Sequence, residues 1–262
     1  VAEVLRTGTA PQATDTLLAG QALSRGAGGA ISRIDTYRSG ASYDSQAGTF
    51  SGTPASTQAF EYDGNARLTR ETRTQGAGAA ATTTDTRYEY DAAGNRTTKT
   101  VTTAAGTEIT TYSYDAADRL TSENTSLPAG GSRVVTYTWD QNGNLQSKTE
   151  PGRVTLYRFD ARNRLIDIRS GATNAEASAS SPSVSYGYDA QGNRVRKATG
   201  QGATSYLIDS TFQYAQVARE ITAAAGQGAA GASTATDYVR GLQLVRQRRS
   251  DGEPSADLFP LH

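Results

Sequence analysis

The sequence predicts an all-β fold in which antiparallel β-hairpins stack side by side into one elongated sheet. Three observations predict it: one short phrase recurs along the chain, turn-forming residues follow each copy at a fixed distance, and the composition suits strands. Glycine accounts for 27 of the 262 residues, and only 36% of the residues are hydrophobic. That mixture disfavours leucine-rich helical packing and favours short Thr- and Tyr-bearing strands between turns.

The repeated phrase reads aromatic, any residue, aromatic, Asp, two variable residues, then Gly, Asp, Asn or Ala, then Asn or Arg, then Leu or Arg. Its six copies are FEYDGNARL (60–68), YEYDAAGNR (88–96), YSYDAADRL (112–120), YTWDQNGNL (137–145), YRFDARNRL (157–165) and YGYDAQGNR (186–194). Successive aspartates lie 20 to 29 residues apart. A period in that range is typical of an array of supersecondary units.

Each position of the phrase has a predicted structural role. The two aromatic side chains share one face, because residues i and i+2 of a strand point the same way. The aspartate ends the strand by accepting backbone N–H groups in an Asx-turn, and the glycine supplies a positive φ. The predicted motif residues are Phe60, Tyr62, Asp63, Tyr88, Tyr90, Asp91, Gly94, Tyr112, Tyr114, Asp115, Tyr137, Trp139, Asp140, Gly143, Tyr157, Phe159, Asp160, Tyr186, Tyr188, Asp189 and Gly192.

Alternate copies differ, so the predicted unit is a pair of hairpins. The Gly-Asn copies recur every 49 residues, at Asp91, Asp140 and Asp189, and the Arg-Leu copies lie between them. The three lysines, Lys99, Lys148 and Lys197, each follow a Gly-Asn aspartate by eight residues. In the Arg-Leu copies, Asp118 and Asn163 take the place of glycine and tolerate positive φ next best, whereas Ala66 fits worst and predicts a shifted turn there.

The aromatic pairs are predicted to be the main source of cohesion. Twelve of the twenty aromatic residues lie in the six phrases. We expect their rings to form ladders about 4.8 Å apart, covered by the Leu or Arg stem of the returning strand. Each ring buries roughly 150–250 Å² in a packed environment.

These residues resemble the YD repeat of the rearrangement-hotspot (RHS) family. The segments TSYLIDSTFQYAQVAREI (204–221) and 237–262 resemble the stretch that closes an RHS core, so that the resemblance covers roughly residues 30–262. The resemblance implies a curved or spiralling sheet, a partial β-shell, of the kind that encloses a toxin in bacterial polymorphic toxins and toxin-complex C subunits; teneurins carry similar repeats. No Asp-Pro occurs, so the autoproteolysis motif of toxin-carrying members is missing.

Other chemistry has little support in the sequence. Net charge is zero, which disfavours a nucleic-acid partner, and no apolar run is long enough for a membrane span. There is no cysteine, and His262 is the only histidine, so the sequence disfavours a catalytic triad or a metal site. GQGAAG (226–231) matches a nucleotide-binding pattern without the required helix, and the motif aspartates lack the calcium-roll pattern. We expect no enzyme activity, cofactor or metal.

The sequence predicts a low-complexity segment at 1–30 and a repeat region at 31–262, with a degenerate unit at Tyr43, Asp44 and Gly48. Three inserts, 75–84, 170–183 and 223–236, are expected to be exposed, mobile loops. The chain has no methionine, not even at position 1, and is therefore interpreted as a fragment.

The favoured function is a non-catalytic part of a shell that encloses or displays a toxin or effector cargo, in a secreted or cell-surface bacterial protein. Its expected partners are flanking RHS repeats or cargo of the same polypeptide, with self-association through sheet edges. The alternative is a binding module that recognises glycans or proteins through aromatic and loop surfaces, and an enzyme is the third and weakest hypothesis.

Overall fold

A computed structural model describes residues 2–6, 17–26, 28–38, 41–44, 46–211, 214–225, 233–240 and 244–249. The chain divides into two compact units, Val1–Val135 and Thr136–His262. The sequence carries no marker of this division, and the predicted segments 1–30 and 31–262 remain a prediction. The glycine-rich stretch 226–231 and His262 lie outside the described residues.

Unit 1 is a meander of antiparallel strands. Its elements are β1 (Ala2–Arg6), β2 (Leu17–Arg25), β3 (Ile31–Arg38), β4 (Ser42–Asp44), β5 (Thr49–Ser51), β6 (Ser56–Tyr62), β7 (Leu68–Gln75), a 3₁₀ turn (Gly78–Ala80), β8 (Thr82–Tyr90), β9 (Arg96–Thr103), β10 (Gly106–Tyr114) and β11 (Leu120–Ser126). β3 pairs with β6, so that β4 and β5 form a separate hairpin. The strands from β1 to β3 and from β6 to β11 pair in chain order.

Unit 2 continues the same pattern. Strand β12 (Ser132–Trp139) crosses the division and is followed by β13 (Leu145–Glu150), β14 (Arg153–Phe159), β15 (Leu165–Gly171), α1 (Asn174–Ala179), β16 (Val184–Tyr188), β17 (Arg194–Thr199), β18 (Gly202–Asp209), β19 (Gln216–Ala224), β20 (Ser233–Arg240) and β21 (Leu244–Arg249). From β12 onwards each strand pairs antiparallel with the next. The predicted all-β fold of stacked antiparallel hairpins is confirmed.

A β-bulge sets the register of every motif hairpin. The register shifts by one residue just before the second aromatic residue, for example between Ser113 and Tyr114. Tyr114 therefore lies opposite Leu120, the first residue of the returning strand. The same shift places Leu or Arg opposite the second ring in the other five hairpins, as the sequence predicts.

The face of the sheet that carries the motif rings also buries a row of small side chains. Thr86, Thr110, Val135 and Thr155 each precede the first ring of a motif by two residues, and each is 8% exposed or less. Thr110 faces Thr125 across β10 and β11, and their hydroxyls lie 3.0 Å apart. The buried position two residues before the ring thus extends the motif beyond the phrase predicted from the sequence.

The second insert is largely exposed, as the sequence predicts, but part of it is a helix and not a loop. Residues 174–179 form α1. The N-cap residue Thr173 accepts a hydrogen bond from the Glu176 N–H (3.2 Å), and Glu176 Oε2 accepts one from the Ala172 N–H (2.9 Å). Ala177 is fully buried, next to Gly171 at the end of β15. The helix was not expected because the Ala- and Ser-rich composition conceals this variant of a capping box.

Candidate functional site

The six motif turns share one hydrogen-bond pattern. Asp115 Oδ1 accepts from the N–H groups of Ala117 (2.9 Å) and Arg119 (3.0 Å). The Asp115 N–H donates to the Arg119 carbonyl (3.0 Å), and the Asp118 N–H donates back to the Asp115 carbonyl (3.1 Å). In all six turns the aspartate accepts from the N–H four residues on, at 2.8–3.0 Å, and the same two backbone bonds recur. The aspartates therefore close their turns as Asx-turns.

The third residue after each aspartate, called the turn residue below, has a positive φ. The turn residues are Ala66 (60°), Gly94 (98°), Asp118 (57°), Gly143 (83°), Asn163 (58°) and Gly192 (95°). The expected shift of the turn at Ala66 was therefore wrong. Asp63 accepts from both the N–H (2.9 Å) and the Nε (2.7 Å) of Arg67, and these bonds hold Ala66 in a conformation that costs roughly 1–2 kcal/mol locally.

The fourth residue after each aspartate, called the clamp residue below, also binds that aspartate through its side chain. Arg164 Nε donates to Asp160 Oδ2 (2.8 Å), and Asn193 Nδ2 donates to Asp189 Oδ2 (2.9 Å). The Arg164 side chain and then its backbone N–H lower the pKa of Asp160 to about 2. The pKa of Asp189 is lowered as well, chiefly by the Asn193 side chain. These carboxylates are ionised hydrogen-bond acceptors, which suits turn closure and does not suit general acid catalysis.

The hydroxyl of the second motif tyrosine binds the preceding hairpin. Tyr90 Oη donates to the carbonyl of Leu68 (2.7 Å), and Tyr114 Oη donates to the carbonyl of Arg96 (2.9 Å). Tyr62 and Tyr188 make the same bond, each at 2.9 Å, to Ile31 and Leu165. Every acceptor is the first residue of a returning strand, so each bond joins two successive hairpins.

Arginine guanidinium groups lie over the rings of several motif tyrosines. Arg67 lies over the Tyr90 ring at 4.7 Å, and Arg96 lies over the Tyr112 ring at 4.5 Å and 5.6 Å from the Tyr88 ring. The predicted ladder of rings about 4.8 Å apart was wrong, because a returning strand separates successive aromatic strands and doubles that spacing. The arginines occupy the space between them in cation–π contacts.

Further hairpins follow the pattern without its residues. In the β2–β3 hairpin, Gly26 takes the place of the aspartate, its N–H donates to the Ala30 carbonyl (2.9 Å), and Gly29 has the positive φ (78°). Leu23 and Arg25 stand where the aromatic residues would be, so only the spacing of the turn could have revealed it. Strand β18 ends at Asp209, whose Oδ1 accepts from the Thr211 N–H (2.9 Å).

The degenerate unit expected near Asp44 is the β4–β5 hairpin. Asp44 Oδ1 accepts from the N–H groups of Gln46 (2.8 Å) and Ala47 (3.0 Å), and Gly48 has a positive φ of 67°. Phe50 stacks on Tyr37 with ring centroids 4.6 Å apart.

Charged residues on the two faces have separate arrangements. Lys99, Lys148 and Lys197 each lie directly opposite the first ring of a Gly-Asn hairpin, which explains their regular spacing. On the face opposite the motif rings, charged side chains form cross-strand ion pairs such as Arg158–Asp167 (3.3 Å).

A cavity of about 360 Å³ lies beside the turns of the β12–β13 and β14–β15 hairpins. Two of its lining residues bind each other, because Asn142 Nδ2 donates to Asn163 Oδ1 (3.1 Å). Within the described ranges, no cluster of three or more His, Cys, Asp or Glu side chains is arranged to hold a metal ion. In the part of the chain that the structure describes, no helix has the length and apolarity to cross a membrane.

The fold and the turn geometry define a repeat protein of β-hairpins, and the comparisons with known proteins identify the repeat. Residues 98–132 and 139–176 match the family model of the RHS repeat. The predicted resemblance to the RHS/YD-repeat family is therefore confirmed. No curated protein matches the chain significantly.

Among solved structures, the chain is similar to TcdB2–TccC3 without its hypervariable C-terminal region, with 14% identity and a TM-score of 0.50 over 92% of this chain. A Tc holotoxin pore of Photorhabdus luminescens with a TccC3 mutation also matches, with 15% identity and a TM-score of 0.32 over 92% of this chain. The chain spans 15% of the length of each of these proteins. The first match supports the fold.

Proposed function

We propose that this chain is a non-catalytic wall segment of an RHS-type shell that encloses or displays a toxin or effector cargo of the same polypeptide. The observation that carries the proposal is that the motif residues themselves join each hairpin to its neighbour. The second tyrosine binds the hairpin before it, as Tyr90 does at Leu68, and the clamp residue binds the hairpin after it, as Arg67 does at the Asp91 carbonyl (3.2 Å). Residues that make these contacts stabilise the packing of neighbouring hairpins.

The energies of these contacts suit a wall built by repetition. A hydrogen bond contributes about 0.5–1.5 kcal/mol, and a cation–π contact at an exposed site adds about 0.5–1 kcal/mol. Each contact is modest, but in a repeat array the contributions of successive interfaces add along the chain. In this proposal the motif residues are the main source of cohesion.

The similarity to TcdB2–TccC3 supports a shell at the level of fold. Secretion or display at the bacterial cell surface is part of the proposal, as is the role of flanking RHS repeats or cargo as partners. The low pKa of Asp160 and the engagement of the motif carboxylates in turns support a role without catalysis.

The test is limited proteolysis of the natural polypeptide that carries this chain, followed by mass spectrometry. Segments enclosed by a shell are expected to survive longer than the same segments expressed alone, and Tyr114→Ala should shorten their survival. The matched control is Tyr214→Ala, at an exposed ring (73%) outside the motifs, which should leave protection unchanged. Equal cleavage of the segments inside and outside the polypeptide would overturn the proposal.

The alternative, a binding module for glycans, has less support because guanidinium groups cover ring faces that a sugar would need. Arg67 lies over Tyr90 and Arg164 lies over Tyr188, each at 4.7 Å. A glycan array would revive this alternative if it showed binding that Tyr157→Ala abolishes while the protein stays folded.

A further inference from the structure

The clamp residue of one hairpin matches the turn residue of the next hairpin in the chain. Arginine clamps precede glycine turn residues, as at Arg67 and Gly94 or Arg164 and Gly192. Asparagine clamps precede Asp or Asn, as at Asn95 and Asp118 or Asn144 and Asn163. The sequence also places Arg119 ahead of Gly143. This pairing accounts for the alternation of the two kinds of copy along the chain.

The arginine clamp needs open space at the next turn residue. Arg67 Nη1 donates to the carbonyl of Asp91 (3.2 Å), and its guanidinium lies over the Tyr90 ring. A Cβ atom built on Gly94 would stand 4.0 Å from Arg67 Nη1, so that any longer side chain in that direction would meet the guanidinium.

The second arginine clamp repeats these distances. Arg164 Nη1 donates to the Asp189 carbonyl at 3.2 Å, and a Cβ atom on Gly192 would stand 4.0 Å from it.

The asparagine clamp needs the opposite, a side-chain acceptor at the next turn residue. Asn95 Nδ2 donates to Asp118 Oδ1 (2.8 Å), and Asn144 Nδ2 donates to Asn163 Oδ1 (3.0 Å). Asparagine and aspartate combine an acceptor oxygen with tolerance of positive φ, whereas glycine offers no side chain to bind.

We propose that the side of each hairpin turn that carries the clamp residue, called the turn flank, is a selective docking surface for the neighbouring hairpin. Turn flanks are of two types that do not interchange. An arginine flank accepts a hairpin with glycine at the turn residue, and an asparagine flank accepts one with Asp or Asn there. In the β2–β3 hairpin, Ala30 occupies the clamp position, and Ala66 is the turn residue of the β6–β7 hairpin beside it. This pair has neither kind of clamp and therefore makes neither demand. The partner of each flank is therefore the neighbouring hairpin of matching type in this chain.

The docking surface also has a direction. The clamp side chains donate to the following hairpin, as Arg67 does to Asp91, and the tyrosine hydroxyls donate to the preceding one, as Tyr90 does to Leu68. The two flanks of a hairpin are thus different surfaces, and hairpins meet head to tail. Such heterologous contacts build open-ended arrays.

A double-mutant cycle on the full chain tests the two types. Asn95→Arg and Asp118→Gly are made singly and together, and the unfolding equilibrium constant is measured with denaturant. The double variant recreates the Arg67–Gly94 pairing at positions 95 and 118. The change in its unfolding equilibrium constant should therefore be smaller than the product of the two single-variant changes by roughly two- to tenfold, which is the contribution of one hydrogen bond. The matched control combines Asn95→Arg with Ala117→Gly, in the same turn, and should be multiplicative.

Independent effects in the first cycle, or equal coupling in the control cycle, would overturn the proposal. If Asn95→Arg prevents folding, Asp118→Asn and Asp118→Ala replace it. The first keeps the acceptor for Asn95 and should stay close to the parent, and the second should be less stable; equal stability of the two would overturn the proposal as well.

Discussion

The aspartate of each motif joins three parts of its turn at the scale of single residues. Asp160 accepts from the N–H groups of Arg162 (2.9 Å) and Arg164 (3.0 Å) and from the Arg164 Nε (2.8 Å). These bonds favour the ionised carboxylate, and they explain why Ala66 and Asn163 adopt positive φ in equivalent turns without glycine. The turn is thus specified by the aspartate and its clamp residue together.

A pH dependence follows from the pKa of Asp160. That pKa is lowered from 3.8 to about 2, so the stabilisation is fully present above about pH 4 and is lost as the pH falls through about 2. The difference in unfolding free energy between the parent and Asp160→Asn should therefore shrink across that range. Denaturant titrations at several pH values check this, and a difference that stays constant down to pH 2 would contradict it.

The bond between Tyr114 Oη and the Arg96 carbonyl predicts that Tyr114→Phe is less stable by about 0.5–1.5 kcal/mol. The control is Tyr112→Phe, on the same strand and the same face, where the contact with Arg96 is through the ring. Thermal or denaturant unfolding of the two variants gives the comparison. Equal losses of stability in the two variants would show that the hydrogen bond between the hairpins contributes no stability of its own.

At the scale of elements, the motif hairpins could be predicted from sequence because each is encoded by one contiguous phrase. The β2–β3 hairpin could not, since Leu23, Arg25 and Gly26 replace its aromatic residues and aspartate. The packing of the rings was predicted wrongly because it depends on which strands are neighbours. The pairing of clamp and turn residues also depends on register, although its 49-residue period is visible in the sequence.

Helix α1 gives a prediction at this scale. A Cβ atom on Gly171 would lie 2.8 Å from the Glu176 carbonyl carbon, so Gly171→Ala should push α1 off the sheet and destabilise the protein by about 1–3 kcal/mol. The control is Gly200→Ala, where a Cβ atom meets nothing within 4 Å. Similar unfolding midpoints for the two variants would mean that α1 does not depend on this contact.

The whole molecule consists of two units, and each is a meander whose hairpins cohere through neighbours. In such an array a terminal strand has exposed backbone groups that can pair with another chain. β21 is the last described strand and pairs with β20. We predict concentration-dependent self-association, measured by sedimentation. Because the two flanks of a hairpin differ, the association should be open-ended, and a monomer over a wide concentration range would contradict this prediction.

The most direct test of the account concerns the junction of β15 and β16, where the strand ladder is short. Only Asp167–Ser185 and Ile168–Val184 pair there, while Tyr188 Oη binds the Leu165 carbonyl at the motif end. Amide hydrogen exchange of Tyr188→Ala, compared with the control Tyr214→Ala, should show faster exchange in both β15 and β16. Faster exchange confined to β16 and β17, or none at all, would contradict the claim that motif residues join successive hairpins.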